Sequence, residues 1–149
     1  MRIDFDCVRE ILLLIESLSS YNVAAEIQYP EELLDCNCFD DDFDILDDEE
    51  FEIASIFKNY TPDTVFYHID YCYEAGLVTE PILSGLYSVE IKDLTAAGHE
   101  LLANIREPDN WSAVKSGLSA IRNYSLDAIN AISTGITQGA IAAYLTTTK

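Results

Sequence analysis

Apolar residues recur at helical spacing from Asp4 to Ser19, where Val8, Ile11, Leu12, Ile15 and Leu18 make one stripe, and Asp4 or Asp6 is placed to cap its start. Tyr21-Asn22 breaks the pattern. Val23 to Tyr29 is β-permissive and is read as a short strand stopped by Pro30. A second helix is expected over about Asp48 to Asn59, with Phe51, Ile53, Ala54, Ile56 and Phe57 available for packing. Thr61-Pro62 supplies an N-cap and a first helical residue for a third helix, which runs through Ala75 to a C-cap at Gly76 and buries Val65, Ile69 and Cys72. Leu77-Val78 begins a strand, and Ile82-Leu83, Ser84-Gly85 and Leu86 to Ile91 read as a hairpin turning at the glycine. Thr95 caps a fourth helix, about Ala96 to Arg106, and Pro108 punctuates it. Trp111 to Ile121 is helical again. Ser125 caps a last helix, about Leu126 to Leu145, with Leu126, Ile129, Ile132, Ile136, Ala140 and Ala143 on one face.

Three helices followed by a hairpin is the winged-helix order. The expected fold is therefore α+β, mostly α: a winged helix-turn-helix over residues 1–106, with an acidic loop insertion at 30–50, and a helical tail over 107–149. A chain of 149 residues suits one domain with an appendage.

Charge changes the functional picture. The chain holds 27 acids against 8 bases, a net of −19. Residues 1–100 carry 24 acids and only Arg2, Arg9, Lys58 and Lys92, whereas residues 101–149 carry 3 acids and 4 bases. Such a field repels nucleic acid and anionic membranes and attracts basic surfaces. Residues 31–52 alone hold 12 acids and no base, interleaved with Leu33, Leu34, Phe39, Phe43, Ile45, Leu46 and Phe51. A purely disordered acidic tract has few such residues, so this one reads as a partly anchored loop.

Three strings resemble a bacterial and phage family known as domain of unknown function 2513. They are DFDCVREILLLIE at the start, VFYHIDYCYEAGLV in the middle, and IKDLTAAGHELLANIREPDNWSAVK after the hairpin. The last carries the most specific matches: Leu94-Thr95, Gly98-His99-Glu100, Leu102, Ile105-Arg106 and Trp111. Ser125-Leu126-Asp127 is similar too, while residues 30–52 fall outside the likeness. The resemblance implies a winged-helix fold and no particular activity, because the family has none assigned.

On a DNA-reading winged helix, the outer side of the third helix supplies base and phosphate contacts. Here the residues expected to face outward are Asp63, Tyr67, Asp70, Tyr71, Tyr73 and Glu74, and no Lys or Arg occurs from Asn59 to Ile91. Phosphate neutralisation needs cations, so direct duplex binding is not expected. The row Asp40, Asp41, Asp42, Asp44, Asp47, Asp48, Glu49 and Glu50 has two readings. One is a solvated loop that keeps the chain soluble. The other is a mimic of the DNA backbone that occupies a basic groove, with Phe39, Phe43, Tyr67, Tyr71 and Tyr73 as anchors. The phage association of the family adds weight to the second. The leading expectation is a non-catalytic protein-interaction module, of the kind a phage-type anti-defence inhibitor would use, that presents Asp40, Asp41, Asp42, Asp44, Asp47, Asp48, Glu49, Asp63, Tyr67, Asp70, Tyr71 and Glu74 to a basic nucleic-acid-binding protein. The alternative is a dimeric winged-helix transcriptional regulator, and a weaker one is a metal-binding protein.

Metal and catalytic motifs fare poorly. Asp40, Asp42 and Asp44 alternate as in a calcium loop, but Ile45 stands where the turn needs Gly, and Phe51 where the bidentate Glu belongs. Cys36, Cys38, His68 and Cys72 could together offer four zinc ligands, yet Cys-x-Cys is tight and Cys72 lies on the core stripe. The competing reading is free thiols, one of them buried, and a histidine on a helix surface. His99 is read as a packed or capping residue. With no phosphate loop, nucleophile elbow or His-Glu-x-x-His, no enzyme activity and no cofactor are expected. No export signal or membrane span is read, so the expected location is the cytoplasm, the host's if the chain is phage-encoded. On the last helix, Gly135 and Gly139 form a small-residue pair with Ile132, Ile136 and Ala143, the expected contact of a homodimer.

Overall fold

The computed structural model describes residues 1–33 and 54–147. They form two compact units, Met1–Leu94 and Thr95–Lys149. Among the described residues the chain is α+β and mostly helical, with five α-helices and one three-stranded antiparallel sheet.

In the first unit, α1 (Phe5–Leu18) starts where the sequence pattern placed it. The Asp4 carboxylate accepts from the backbone N–H groups of Asp6 (2.9 Å) and Cys7 (3.4 Å), satisfying two of the donors that a helix start leaves open. Its buried stripe is Cys7, Val8, Ile11, Leu12 and Ile15. It packs against α2 (Pro62–Glu74), β1 (Ala25–Gln28) and a one-turn 3-10 helix, Ser55–Lys58. Of the helix expected over Asp48 to Asn59, residues 48–53 lie outside the described residues. The rest is only that 3-10 turn, and its preceding residue, Ala54, has no side-chain oxygen to cap it. A second 3-10 turn spans Glu31–Leu33.

The sheet runs β1-β3-β2, with β2 at Ile82–Gly85 and β3 at Ser88–Ile91. Ala25 pairs with Ile91 and Ile27 with Val89; all four are buried, so one face of the sheet lies on the core. The hairpin turns at Leu86-Tyr87 rather than at Ser84-Gly85. Burial of Val89 and Ile91 fixes the register of β3, and β2 meets it through an irregularity between Leu83 and Gly85. The Ser84 and Ser88 hydroxyls, 2.7 Å apart, close that irregularity. Leu77-Val78 contributes only an isolated bridge, Val78 to Leu94.

The second unit contains α3 (Ala96–Ile105), α4 (Pro108–Ile121) and α5 (Leu126–Thr147). Thr95 caps α3 by accepting from Gly98 N–H at 3.1 Å. Leu101, Leu102, Ile105, Trp111, Val114, Leu118 and Ile129 make the core. α3 packs against α4 and α5, and the Thr137 hydroxyl donates to Asn104 Oδ1 at 2.8 Å. At Gly117 α4 lies close against α5: a Cβ there would meet Ile132 Cγ2 at 3.1 Å. Among the described residues, no helix is long and apolar enough to cross a membrane.

Candidate functional site

The site is the outer face of α2 and the elements that hold it. Thr61 caps the helix by accepting from Thr64 N–H at 3.4 Å, and Pro62 opens it. At the other end Gly76 takes a left-handed φ of +74°, the conformation that a helix C-cap favours and that glycine adopts without strain. Between these ends Val65, His68, Ile69 and Cys72 face the core, while Asp63, Tyr67, Asp70, Tyr73 and Glu74 are exposed.

Two of the outward residues, Asp63 and Tyr67, are tethered. Asp63 accepts a short hydrogen bond from the Tyr87 hydroxyl, which joins the hairpin turn to the first turn of α2. That bond pushes the Tyr87 phenol above its ordinary range. The Tyr67 hydroxyl donates to the Met1 carbonyl at 3.2 Å. Tyr71, expected to face outward, is half-buried, its ring edge-on to Phe5 at 6.0 Å. Beneath the face lies a four-ring cluster: Tyr29 to Phe57 at 5.1 Å, Phe57 to Phe66 at 6.3 Å and Phe66 to Tyr87 at 5.5 Å. The cluster ties the end of β1, the 3-10 turn, α2 and the hairpin together. Its members come from four separate segments, so no local spacing announces it. Nearby Tyr60 is pushed upward by burial and by the charges of Asp4 and Glu10.

His68 departs most from expectation. Read as a helix-surface residue, it is fully buried. Asp4 N–H donates to its Nε2 at 2.8 Å, and its Nδ1 lies 2.7 Å from the Thr64 carbonyl. A backbone N–H can only donate, so Nε2 is the bare acceptor and Nδ1 carries the proton it gives to Thr64. The ring thus links α2 to the residue that caps α1. Both nitrogens are committed to these hydrogen bonds. Cys72 is buried as expected. Burial, and then the neighbouring Cys7, push its thiol up to about 12; burial, Asp4 and Glu10 do the same to Cys7. Cys36 and Cys38 lie outside the described residues. Among the described residues no three His, Cys, Asp or Glu side chains are grouped to hold a metal. His99, read as a packed or capping residue, is exposed on α3.

The acidic row Asp40, Asp41, Asp42, Asp44, Asp47, Asp48, Glu49 and Glu50 also lies outside the described residues. What can be placed is acidic as well. Glu26 and Glu90 stand directly opposite each other on the solvent face of the sheet. An open cleft of about 500 Å³ at the end of that face is lined by Tyr21, Val23, Glu80, Ile82, Glu90 and Lys92. The hairpin exposes Ile82 (63%), Leu83 (74%) and Leu86 (75%). The four bases of the first unit belong to four different segments: Arg2 before α1, half-buried Arg9 on α1, Lys58 on the 3-10 turn and Lys92 after β3. On α5, Ile132 packs on Gly117 and Ile136 is half-buried, so two members of the expected dimer strip are partly used within the unit. Gly135, Gly139 and Ala143 are exposed.

A mostly helical α+β chain with a small sheet and an acidic helix face is the class these observations define. The chain belongs to the family described as "Hypothetical protein (DUF2513)", whose model matches residues 2–124. That match takes in both the α2 face and the sheet, and it ends just before α5. No curated protein and no solved structure gives a significant match.

Proposed function

We propose that residues 1–94 are an acidic winged-helix module that works without catalysis, by presenting carboxylates to a basic, nucleic-acid-binding protein. The order α1, α2, hairpin supports the winged-helix reading, with the 3-10 turn standing where a second helix is usual. The observation that carries the functional reading is the outer face of α2. The positions from which a duplex reader would send cations to phosphates hold Asp63, Asp70 and Glu74, with Tyr67 and Tyr73 between them. Carboxylates with interleaved tyrosines are what a basic protein groove recognises: charge steers the encounter and aromatic rings anchor it. In its fullest form the reading is a phage-type inhibitor that occupies the DNA-binding groove of a host enzyme.

The test uses purified bacterial nucleases and DNA-binding proteins that have strongly basic grooves. At least one should bind the chain, lose it as salt rises, and release it to competing duplex DNA. Replacing exposed Asp70 and Glu74 together by Lys should weaken that binding at least ~10-fold, the loss of one or two charge contacts. A chain that itself retards duplex DNA at low salt, or a partner indifferent to the double replacement, would overturn the proposal.

A further inference from the structure

The cleft at the end of the sheet has two walls, and both are braced. One wall is the turn after α1. Ser20 and Val23 exchange two backbone hydrogen bonds, Ser20 N–H to Val23 O at 2.8 Å and Val23 N–H to Ser20 O at 3.1 Å. Tyr21, at the tip of that turn, is 96% exposed. The other wall is the segment from Glu80 to Ile82 that leads into β2. Thr79, just before it, donates to the Asp93 carbonyl through its N–H at 3.0 Å and its hydroxyl at 3.1 Å. The Asp93 carboxylate accepts from the Ser19 hydroxyl at 3.2 Å, so one residue ties the two walls together. Between them lies Glu90, with Glu26 paired to it on β1 and Ile82 on β2. An opening of about 500 Å³ is the size of a small-ligand site.

We propose that this cleft receives an arginine side chain of a protein partner, its guanidinium against Glu80 and Glu90 and its stem on Val23 and Ile82. Charge selects a cation. Glu26, Glu80 and Glu90 make no ion pair among the described residues, and Lys92 is the one base in the lining. Three carboxylates outnumber one ammonium, and residues 1–94 hold 23 acids against 4 bases, so an anion or a second copy of the chain is repelled. The opposed Glu26 and Glu90 repel each other while uncovered, and a cation over them removes that repulsion. The apolar walls select arginine among cations. A metal ion or a small amine gains nothing from Val23 and Ile82, which are 57% and 63% exposed. An arginine stem covers aliphatic surface while its head stays polar. The planar head also forks carboxylates and stacks on a tyrosine ring, which a lysine ammonium cannot match. Braced walls leave little to order on binding. α2 contributes none of the lining residues, so the cleft is a separate point of attachment for a basic partner and does not rest on the α2 face.

The experiment titrates the full chain with the capped peptide acetyl-Gly-Arg-Gly-amide, followed by nitrogen–proton correlation NMR at about 20 mM salt. One arginine offers one or two charge contacts, so a dissociation constant on the order of a few mM is expected. The amide signals of Tyr21, Val23, Glu80 and Ile82 should move together and saturate. The same peptide with citrulline, which keeps the shape and loses the charge, should bind at least ~10-fold more weakly. The arginine peptide should lose at least ~10-fold on a chain carrying Glu80→Gln with Glu90→Gln. Lys92→Gln should tighten binding ~2–5-fold, because it removes the competing cation. All three positions are exposed, so the spread of amide signals should show an intact fold in each variant. A citrulline peptide that binds as well as arginine, binding that survives the double replacement, or binding weakened by Lys92→Gln would each overturn the proposal. Shifts confined to Asp63, Asp70 and Glu74 would also overturn it and leave the α2 reading standing.

Discussion

Replacing His68 is the sharpest test of how the first unit is held. The ring is fully buried and joins two helices: Asp4 N–H gives to Nε2 at 2.8 Å, and Nδ1–H gives to the Thr64 carbonyl at 2.7 Å. Thr64 O keeps its helical bond when the ring is lost, but Asp4 N–H is left with no acceptor. The hydrogen bond is part-buried and Asp4 is an exposed residue, so the unpaired donor costs about 1 kcal/mol, the low end of the usual range. His68→Leu keeps most of the volume and removes the acceptor, so a loss of roughly 1–2 kcal/mol is expected. His68→Ala adds a cavity on top and should cost about 2–4 kcal/mol, a large part of the ~5–15 kcal/mol that stabilises a typical domain. His68→Gln brings an amide oxygen within reach of the same N–H and should cost less than Leu. The assay is urea denaturation followed by near-UV circular dichroism, which reports the tyrosines of this unit; Trp111 reports the other. The expected order of stability is wild type, Gln, Leu, Ala. A Leu variant as stable as Gln would show that packing alone matters and would refute the hydrogen-bond reasoning. Nitrogen NMR of the native ring should find Nδ1 protonated and Nε2 bare.

Two further outcomes follow from packing and burial. Cys7 and Cys72, both pushed up to about 12, should stay unreactive to a thiol reagent at pH 8 until the chain unfolds. Above their ordinary value of about 8.5 the unfolded chain loses protons that the folded chain keeps, so their share of stability is full below that pH and falls as pH rises toward 12; alkaline titration of the urea midpoint checks the sign. Gly117→Ala should destabilise the second unit by about 1–3 kcal/mol, although alanine is the better helix former by ~1 kcal/mol, because the new methyl meets Cγ2 and Cδ1 of a β-branched residue that is stiff at χ1. Adding Ile132→Ala should recover much of that loss relative to Ile132→Ala alone, and a double-mutant cycle showing no coupling would contradict the close approach.

What was legible in the sequence is what local rules govern. Asp4, Thr61 and Thr95 cap the helices they were expected to cap, because a capping oxygen acts within three residues. Gly76 ends α2 for an equally local reason. The misreadings share another origin. His68 looked like a surface residue because its partner, Asp4 N–H, is 64 residues away in the chain. Tyr71 turned inward for Phe5, which is as distant. The hairpin glycine pointed to the wrong turn because the burial of β3, set by its pairing with β1, outweighed the local turn signal. On α5 the apolar face was read correctly as a face, but periodicity cannot tell where along a helix its packing stops.

Asp4, Asp6 and Asp63 stand at helix starts, where a carboxylate is favourable, but three other acids of the first unit are placed where they cost stability. Glu26 and Glu90 are directly opposed across β1 and β3, a like-charge pairing worth roughly 0.2–1 kcal/mol against the sheet. Glu74 is the last residue of α2, whose final turn holds no base, and a negative charge at a helix C-terminus is unfavourable by about 0.3–1 kcal/mol. Solubility depends on net charge, which is indifferent to these positions. A chain selected only to stay dissolved could carry the same −19 with Glu90 exchanged for a neutral strand former and the carboxylate moved to the first turn of a helix, where it would stabilise. Carboxylates held at unfavourable sites on the sheet and at the end of α2 therefore support the proposed acidic contact surface, since a cationic partner covering them would relieve the unfavourable terms.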